Sequence, residues 1–323
     1  MGDVMQKKVV VLGGGTGLSN LLRGLKQFPL DITAIVTVCD DGKSTGILRE
    51  EFNIPAVGDI RRVLVALSET EPLVMELFNY RFGNDTSFDG HTVGNLLLTA
   101  ASEISGNLSD GIEALSKVMN LKGKVVPLTE DNVTLMAKLE DETIIEGEHN
   151  ITLRKEKAKI KKVYYKESAV PTKEALKAIK EADLILFSMG SLFTSIIPNL
   201  LIDGVVKEIE NSKAKIMYVC NMMTQPGETD DYKVSDHVKK LNEYLGNRHV
   251  DIVLANNGEI DSKMAKFYET EEQKDPVVCD SEELKKLNLD VINDDFTFIT
   301  DNNLLRHDNI KLGFHIFYYI MNR

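Results

Sequence analysis

The 323-residue chain has no tryptophan, and its aromatic residues amount to 7%. A platform of stacked rings for single-stranded nucleic acid is therefore a poor expectation. Cysteine is scarce: Cys39, Cys220 and Cys279, with no CxxC spacing. That supports neither a disulfide framework nor a thiolate zinc site. Positive charge is in deficit, with 38 Lys and Arg against 50 Asp and Glu and a net charge of −12. Such a surface repels nucleic-acid backbones and anionic lipid, but leaves room for a small anion in a local pocket. An uninterrupted membrane span is also missing. Leu184 to Ile202 carries no charged side chain, yet Gly190, Pro198, Asn199 and the hydroxyls of Ser188, Ser191, Thr194 and Ser195 break it. It reads as a buried strand, a polar turn and a helix start. The run Val9 to Leu12 is too short for a signal-peptide core after the polar Met1 to Lys8. Gln6 stands where a myristoylation motif wants Ser or Thr. These readings lead to an expectation of a soluble, cytoplasmic protein with no membrane span and no nucleic-acid partner.

What is present is an alternation. KKVVVL (Lys7 to Leu12) is apolar, β-branched and ends in glycines, as a buried parallel strand does. Leu18, Leu21, Leu22 and Leu25 follow on one helical face. Ile32 to Val38 reads as a second strand; Arg61 to Leu67, Leu73 to Tyr80 and Gly94 to Ile104 read as helices. Asp183 to Phe187, Lys215 to Cys220 and Asp251 to Ala255 read as later strands, and Leu312 to Ile320 as a last helix on the sheet. The pattern predicts an α/β, Rossmann-like, doubly wound and mainly parallel sheet in a single domain spanning 1–323. Lys122 to Tyr165 breaks the rhythm with short alternating runs, and predicts a small antiparallel β-rich insertion without a helix. The basic run Arg154 to Lys162 reads as a strand edge guarded by lysines.

In open α/β sheets ligands sit beyond the C-terminal ends of the strands, and the unusual residues fall there. Gly13-Gly14-Gly15-Thr16-Gly17 lies between strand and helix, where glycines admit a ligand and a helix N-terminus offers N–H groups to an anion. It resembles a dinucleotide fingerprint, but Leu18 stands where the third glycine belongs. A nicotinamide-dependent reductase is thereby weakened. In Asp40-Asp41-Gly42-Lys43-Ser44-Thr45-Gly46, Thr37 defeats a Walker A reading. The adjacent carboxylates Asp40 and Asp41 suit Mg²⁺, with Gly42, Ser44 and Thr45 at the ligand, or simply close an Asx-type turn. Asp59 suits a helix N-cap near Ile60, while Arg49, Arg61 and Arg62 could grip a phosphate. His91 and Asn95 open another helix as ligand candidates. Gly190, Ser191 and Ser195 mark a later strand end, and Asn221 and Thr224 the next.

Together these loops resemble the CofD-like superfamily, founded on 2-phospho-L-lactate transferase, and within it the gluconeogenesis-factor (YvcK-type) branch. The carrying motifs are GGGTGLSNLLRGLK, CDDGKSTGILRE, PAVGDIRRVLVALS, GHTVGNLLLTA, SMGSLFTSIIPNLL and NMMTQPGETDDY, in family order. Lys43 and Met189 depart from the family's usual loops. The resemblance implies a Rossmann-like fold and a nucleotide or nucleotide-sugar ligand. It also implies a regulatory role in gluconeogenic growth and cell shape. The alternative it carries is a Mg²⁺-dependent transferase acting at a nucleotide diphosphate, with Asp40 and Asp41 catalytic. A homo-oligomer, specifically a dimer, is expected.

Overall fold

The computed structural model describes residues 6–70, 72–83, 86–154 and 158–322. Residues 1–5 of the polar start and Lys155 and Lys157 of the basic run lie outside the described residues. The strands are β1 (Lys7–Gly13), β2 (Leu30–Val36), β3 (Lys124–Pro127), β4 (Leu135–Leu139), β5 (Ile144–Glu146) and β6 (Ile160–Tyr165), followed by β7 (Leu184–Phe187), β8 (Lys215–Val219), β9 (Ile252–Asn256), β10 (Asp290–Asp294), β11 (Thr297–Ile299) and β12 (Leu305–His307). Seven of them form one parallel sheet in the order β10-β9-β8-β7-β1-β2-β3. Val9 to Leu12 and Leu184 to Phe187 are buried throughout, as strands covered by helices on both faces must be.

The chain builds the sheet outward from β1 through β2 to β3, then returns to the other edge of β1 with β7 and builds on through β10. Strand order therefore reverses between β1 and β7, and helices leave on opposite faces there, opening a crevice. The register pairs Leu12 with Phe187, so Gly13 and Ser188 emerge side by side at its mouth.

The helix Gly15–Leu25 buries Leu18, Leu21, Leu22 and Leu25, the face read from their spacing. The helix Asn309–Met321 buries Leu312, Ile316 and Ile320 in the main core. It crosses the helix Gly15–Leu25, because Gly24 and Gly313 carry no side chain and let the two backbones meet. Phe28 stacks on Phe317 beside the crossing, with ring centroids 5.4 Å apart.

The insertion is smaller than the sequence implied. Lys124–Pro127 pairs with β2 as the edge strand of the main sheet, and Pro127 is tolerated at an edge where no ladder hydrogen bond is lost. The separate antiparallel sheet runs β5-β4-β6. It also holds a helix, Glu148–Leu153, where none was expected. Gly147, at φ +92°, turns the chain into it, and the Asp41 carboxylate accepts the His149 N–H at 2.7 Å near its start. That anchor lies 108 residues away in sequence, so local alternation could not reveal it. Lys161 and Lys162 are exposed on the outer strand β6, in keeping with a guarded edge. Among the described residues no helix is long and apolar enough to cross a membrane.

Candidate functional site

A cavity of about 500 Å³ occupies the crevice between β1 and β7. Of the residues singled out from the sequence, Gly14, Gly15, Thr16, Gly17, Gly190, Ser191, Ser195, Asn221 and Thr224 line it. They come from three loops, after β1, β7 and β8. The loops are tied to one another. Asn221 accepts the Gly190 N–H at 2.9 Å and donates to the Gly190 carbonyl at 2.6 Å. The Thr224 hydroxyl accepts the Asp275 N–H at 2.9 Å. Glu228 is buried and takes hydrogen bonds from the Ser191 hydroxyl and the Phe193 N–H. It thus holds the wide turn Leu192–Ile196, and burial pushes its carboxyl pKa up. Against these committed groups, Thr16 is exposed in the cavity, and Ser195 has its hydroxyl free of protein partners among the described residues.

Packing alone already calls for glycine at several positions of the first loop. A Cβ on Gly13 would collide with the Ser188 hydroxyl, and one on Gly17 with the Met189 carbonyl. One on Gly14 would lie 2.6 Å from Thr37 Cγ2 and 2.8 Å from Asp59 Oδ2. Gly15 has room, but its φ of +64° suits glycine. The helix N-terminus still faces the cavity, although the Gly15 N–H is already taken by the Asp59 carboxylate at 2.6 Å.

The remaining candidates form a second cluster, on the β2 side of that loop, that does not line the cavity. Asp59 is not the N-cap: Val57 holds that position, and Asp59 sits buried in the first turn of the helix Gly58–Leu67. Its carboxylate joins Gly15 to Arg62, whose Nη1 donates at 2.9 Å. All three arginines donate to protein groups. Arg49 is buried and donates to Asn132 Oδ1, the Val133 carbonyl and the Asp40 carbonyl. Arg61 donates to Asn79 Oδ1 at 2.6 Å, and burial lowers its pKa to about 10. Ser44 lies between His91 Nδ1 at 3.1 Å and Asn95 Nδ2 at 3.2 Å. Arg61 Nε and Asn95 Oδ1 are both buried without a partner among the described residues. Lys43, the departure in this loop, is exposed at the start of the helix Lys43–Phe52.

Asp40 and Asp41 bond different parts of the chain. Asp41 turns to the helix Glu148–Leu153, whereas Asp40 accepts from the Gly42 N–H at 2.9 Å and from the Thr45 hydroxyl at 3.2 Å. Asp40 stays close enough to act on two other carboxyls. Burial, then the Asp40 charge, pushes Asp59 up to about 6 and Glu148 up to about 7. Glu148 lines the cavity. Among the described residues no three His, Cys, Asp or Glu side chains converge to hold a metal. The surplus of negative charge nonetheless fits Mg²⁺, which keeps waters and takes one or two carboxylates plus phosphate oxygens.

Sequence reasoning missed the far wall. Lys274, Arg306 and His307 line the cavity there, beside Tyr268 and Leu305. Arg306 is exposed, and burial pushes His307 down to about 4, with Nε2 3.2 Å from the Cys220 carbonyl. These residues sit in a β11–β12 hairpin and a helix C-terminus with no glycine-rich loop to flag them. Met222 and Met223 also line the cavity, with Met222 in a small apolar cluster beside Met264, Tyr268 and Leu305.

A family profile described as "2-phospho-L-lactate transferase CofD" matches residues 9–297. The chain belongs to the CofD family. Within that family it is 47% identical over 309 residues to a gluconeogenesis factor from Halalkalibacterium halodurans, with 95% of each chain covered. It is 46% identical to the gluconeogenesis factor of Bacillus subtilis, covering 95% of this chain and 96% of that one. A crystal structure of a member of the UPF0052 family from Bacillus halodurans superposes with a TM-score of 0.92 at 45% identity, covering 96% and 99%. This CofD-family chain thus carries its glycine loop, its Asp40 cluster and its β7 turn within the matched region.

Proposed function

We propose that the crevice between β1 and β7 binds a nucleotide diphosphate carrying a sugar. In this reading the chain is a cytoplasmic binding regulator tied to gluconeogenic growth and cell shape. The name shared by its relatives, gluconeogenesis factor, supports the first tie. The carrying observation is the cavity's polarity: a helix N-terminus with the free hydroxyls of Thr16 and Ser195 at one wall, and Lys274 and Arg306 at another. Helix N–H groups and cations favour phosphate oxygens, and free hydroxyls and amides suit a sugar. Glu148, the carboxylate of the Asp40 group that lines the cavity, would be the one to meet a Mg²⁺ that also takes phosphate oxygens.

Thermal shift tests this reading. At a ligand concentration a hundred times Kd, binding adds about 2.7 kcal/mol, and a chain of this size should shift by several degrees. A UDP-sugar is expected to raise the midpoint and Arg306→Ala to reduce the shift, while NADH leaves the midpoint unchanged. A shift with NADH and none with any nucleotide diphosphate would overturn the reading and restore a reductase. The matched family description and the carboxylates by the glycine loop favour one other reading, a transferase acting at the diphosphate. It would need Mg²⁺ to stabilise charge on the transferring phosphorus. Product formed from a nucleotide diphosphate donor with Mg²⁺, and lost in Asp40→Asn, would establish it.

A further inference from the structure

The two cations on the far wall of the crevice are not equally free. Arg306, on β12, donates to the Leu305 carbonyl at 2.8 Å and has no carboxylate partner among the described residues. Lys274 does have one. Its Nζ lies 2.5 Å from Glu272 Oε2, and both residues line the cavity. The backbone sets this pair. Glu272 is the last residue of the helix Ser262–Glu272, and Gln273 ends the helix in the left-handed region at φ +54°. The Lys274 N–H then donates to the Tyr268 carbonyl at 3.0 Å. The Tyr268 hydroxyl accepts the Leu305 N–H at 2.9 Å, so one buried residue anchors the backbones that carry both cations. Stability does not account for Glu272. A helix C-terminus is the negative end of the helix dipole and favours cations, yet this one carries Glu269, Glu271 and Glu272 in its last turn and no basic residue. The side chains of Lys274 and Glu272 are 31% and 36% exposed, and a pair so open to water adds little to stability.

We propose that Glu272 is an internal competitor for the ligand: its carboxylate holds Lys274 when no anion is bound and gives way when a phosphate oxygen arrives. The inference rests on the crevice binding a nucleotide diphosphate, as proposed above, and adds what regulates that binding. An ammonium group donates equally well to a carboxylate or a phosphate oxygen. Lysine, with three donors on a flexible stem, turns from one acceptor to the other without moving the backbone. Glu272 is free to leave, because Lys274 is its one side-chain partner among the described residues. Asp59 differs. It takes the Gly15 N–H at the opposite wall, but it is buried and also bonded to Arg62, so it stays in place. Glu272 thus lowers the affinity for an anion by the strength of the pair that must be broken. An anion too poorly placed to displace the carboxylate meets Arg306 alone.

Isothermal titration of the full chain with UDP and with inorganic pyrophosphate tests this. Glu272→Gln frees Lys274 and should tighten both probes by about fivefold, the worth of a partly exposed ion pair. Glu271→Gln removes the same charge one residue away, from an exposed side chain outside the cavity. It should change either affinity by less than about twofold. In a Lys274→Ala background, the gain from Glu272→Gln should also fall below about twofold, as a double-mutant cycle reads. These side chains are open enough to water for every variant to fold, which an unchanged urea midpoint checks. Three results would overturn the competition: a Glu272→Gln variant that binds no more tightly than the wild type, a Glu271→Gln variant that gains as much, or a gain that persists without Lys274. The last two would reduce Glu272 to a diffuse negative charge. All three leave the binding reading standing, because the wild type still takes UDP. If neither probe binds the wild type or Glu272→Gln, the binding reading is lost and this inference with it.

Discussion

The two flanks of the glycine loop differ in what their polar groups do. On the β7–β8 flank, polar side chains fix the loops, and Thr16 and Ser195 are left open to a cavity. On the β2 flank, the polar groups of Asp40, Ser44, Thr45, Arg49, Asp59 and His91 are bonded to one another or to neighbouring protein. Both flanks are rich in glycine and hydroxyls, and Arg49, Arg61 and Arg62 are on the β2 flank. One faces a cavity, and the other is bonded within itself and braces the loop. A motif dense in such residues therefore marks a place where backbones come close, and only the third dimension separates contact with a ligand from contact with a neighbouring loop.

Gly17 gives the largest test of that difference. In Gly17→Val the new side chain would overlap the Met189 carbonyl, a backbone atom that cannot swing aside. We expect a loss of about 4 kcal/mol or more, at the severe end for single substitutions, read as a collapse of the urea midpoint. A stable variant that has merely lost nucleotide affinity would return the glycine to the role of ligand contact.

Next in size is a pH effect from two buried histidines. Burial pushes His237 and His307 down to about 4 from an ordinary 6.5. The unfolded chain then binds more protons than the folded one between those values. Their stability contribution is full above pH 6.5 and is lost as pH falls toward 4. Each site accounts for on the order of 3 kcal/mol over that window. His307→Gln should flatten the loss measured by urea unfolding at pH 7, 6, 5 and 4.5. An unchanged slope would mean that His307 is hydrated and charged in the folded chain.

Arg49 sharpens the comparison further. Its guanidinium holds Asn132, the Val133 carbonyl and the Asp40 carbonyl together. Arg49→Ala should cost about 2 to 3 kcal/mol by leaving buried acceptors unmet. Arg49→Lys should recover little, because a point charge cannot serve the fork of acceptors. Lost nucleotide affinity at unchanged stability would instead put Arg49 in the binding wall.

The strands and the switch point were legible because buried parallel strands are continuous apolar runs and their loops are rich in glycine. The first helix was legible because four leucines mark one face. The edge strand Lys124–Pro127 was misplaced because a short strand beside an antiparallel insertion carries no local sign of its partner. The second anchor of the helix Glu148–Leu153 is Asp41, far away in sequence. Arg49, Arg61 and Asp59 were legible as important but not in their roles: a charged residue beside glycines looks the same whether it meets a phosphate or a carbonyl. Lys274 and Arg306 were invisible, since a lone cation in an ordinary helix end or hairpin stands out only when its neighbours in space are known.

The smallest expected effect is the most specific. Ser195 lines the cavity with a hydroxyl that meets no protein partner among the described residues. Removing it leaves no buried group unsatisfied, so Ser195→Ala should change stability by less than about 0.5 kcal/mol. If the hydroxyl bonds a ligand, as the binding-wall reading holds, its loss should weaken a UDP-sugar by about 1 kcal/mol, or roughly fivefold. The corresponding change on the braced flank, Thr45→Val, removes the hydroxyl bonded to Asp40. It should do the reverse, lowering stability by about 1 kcal/mol with a smaller direct effect on affinity. Isothermal titration of both variants alongside urea unfolding reads the two columns at once. A Ser195→Ala variant that destabilises without weakening the ligand would reverse the assignment of the two flanks, because it would make the hydroxyl part of the brace.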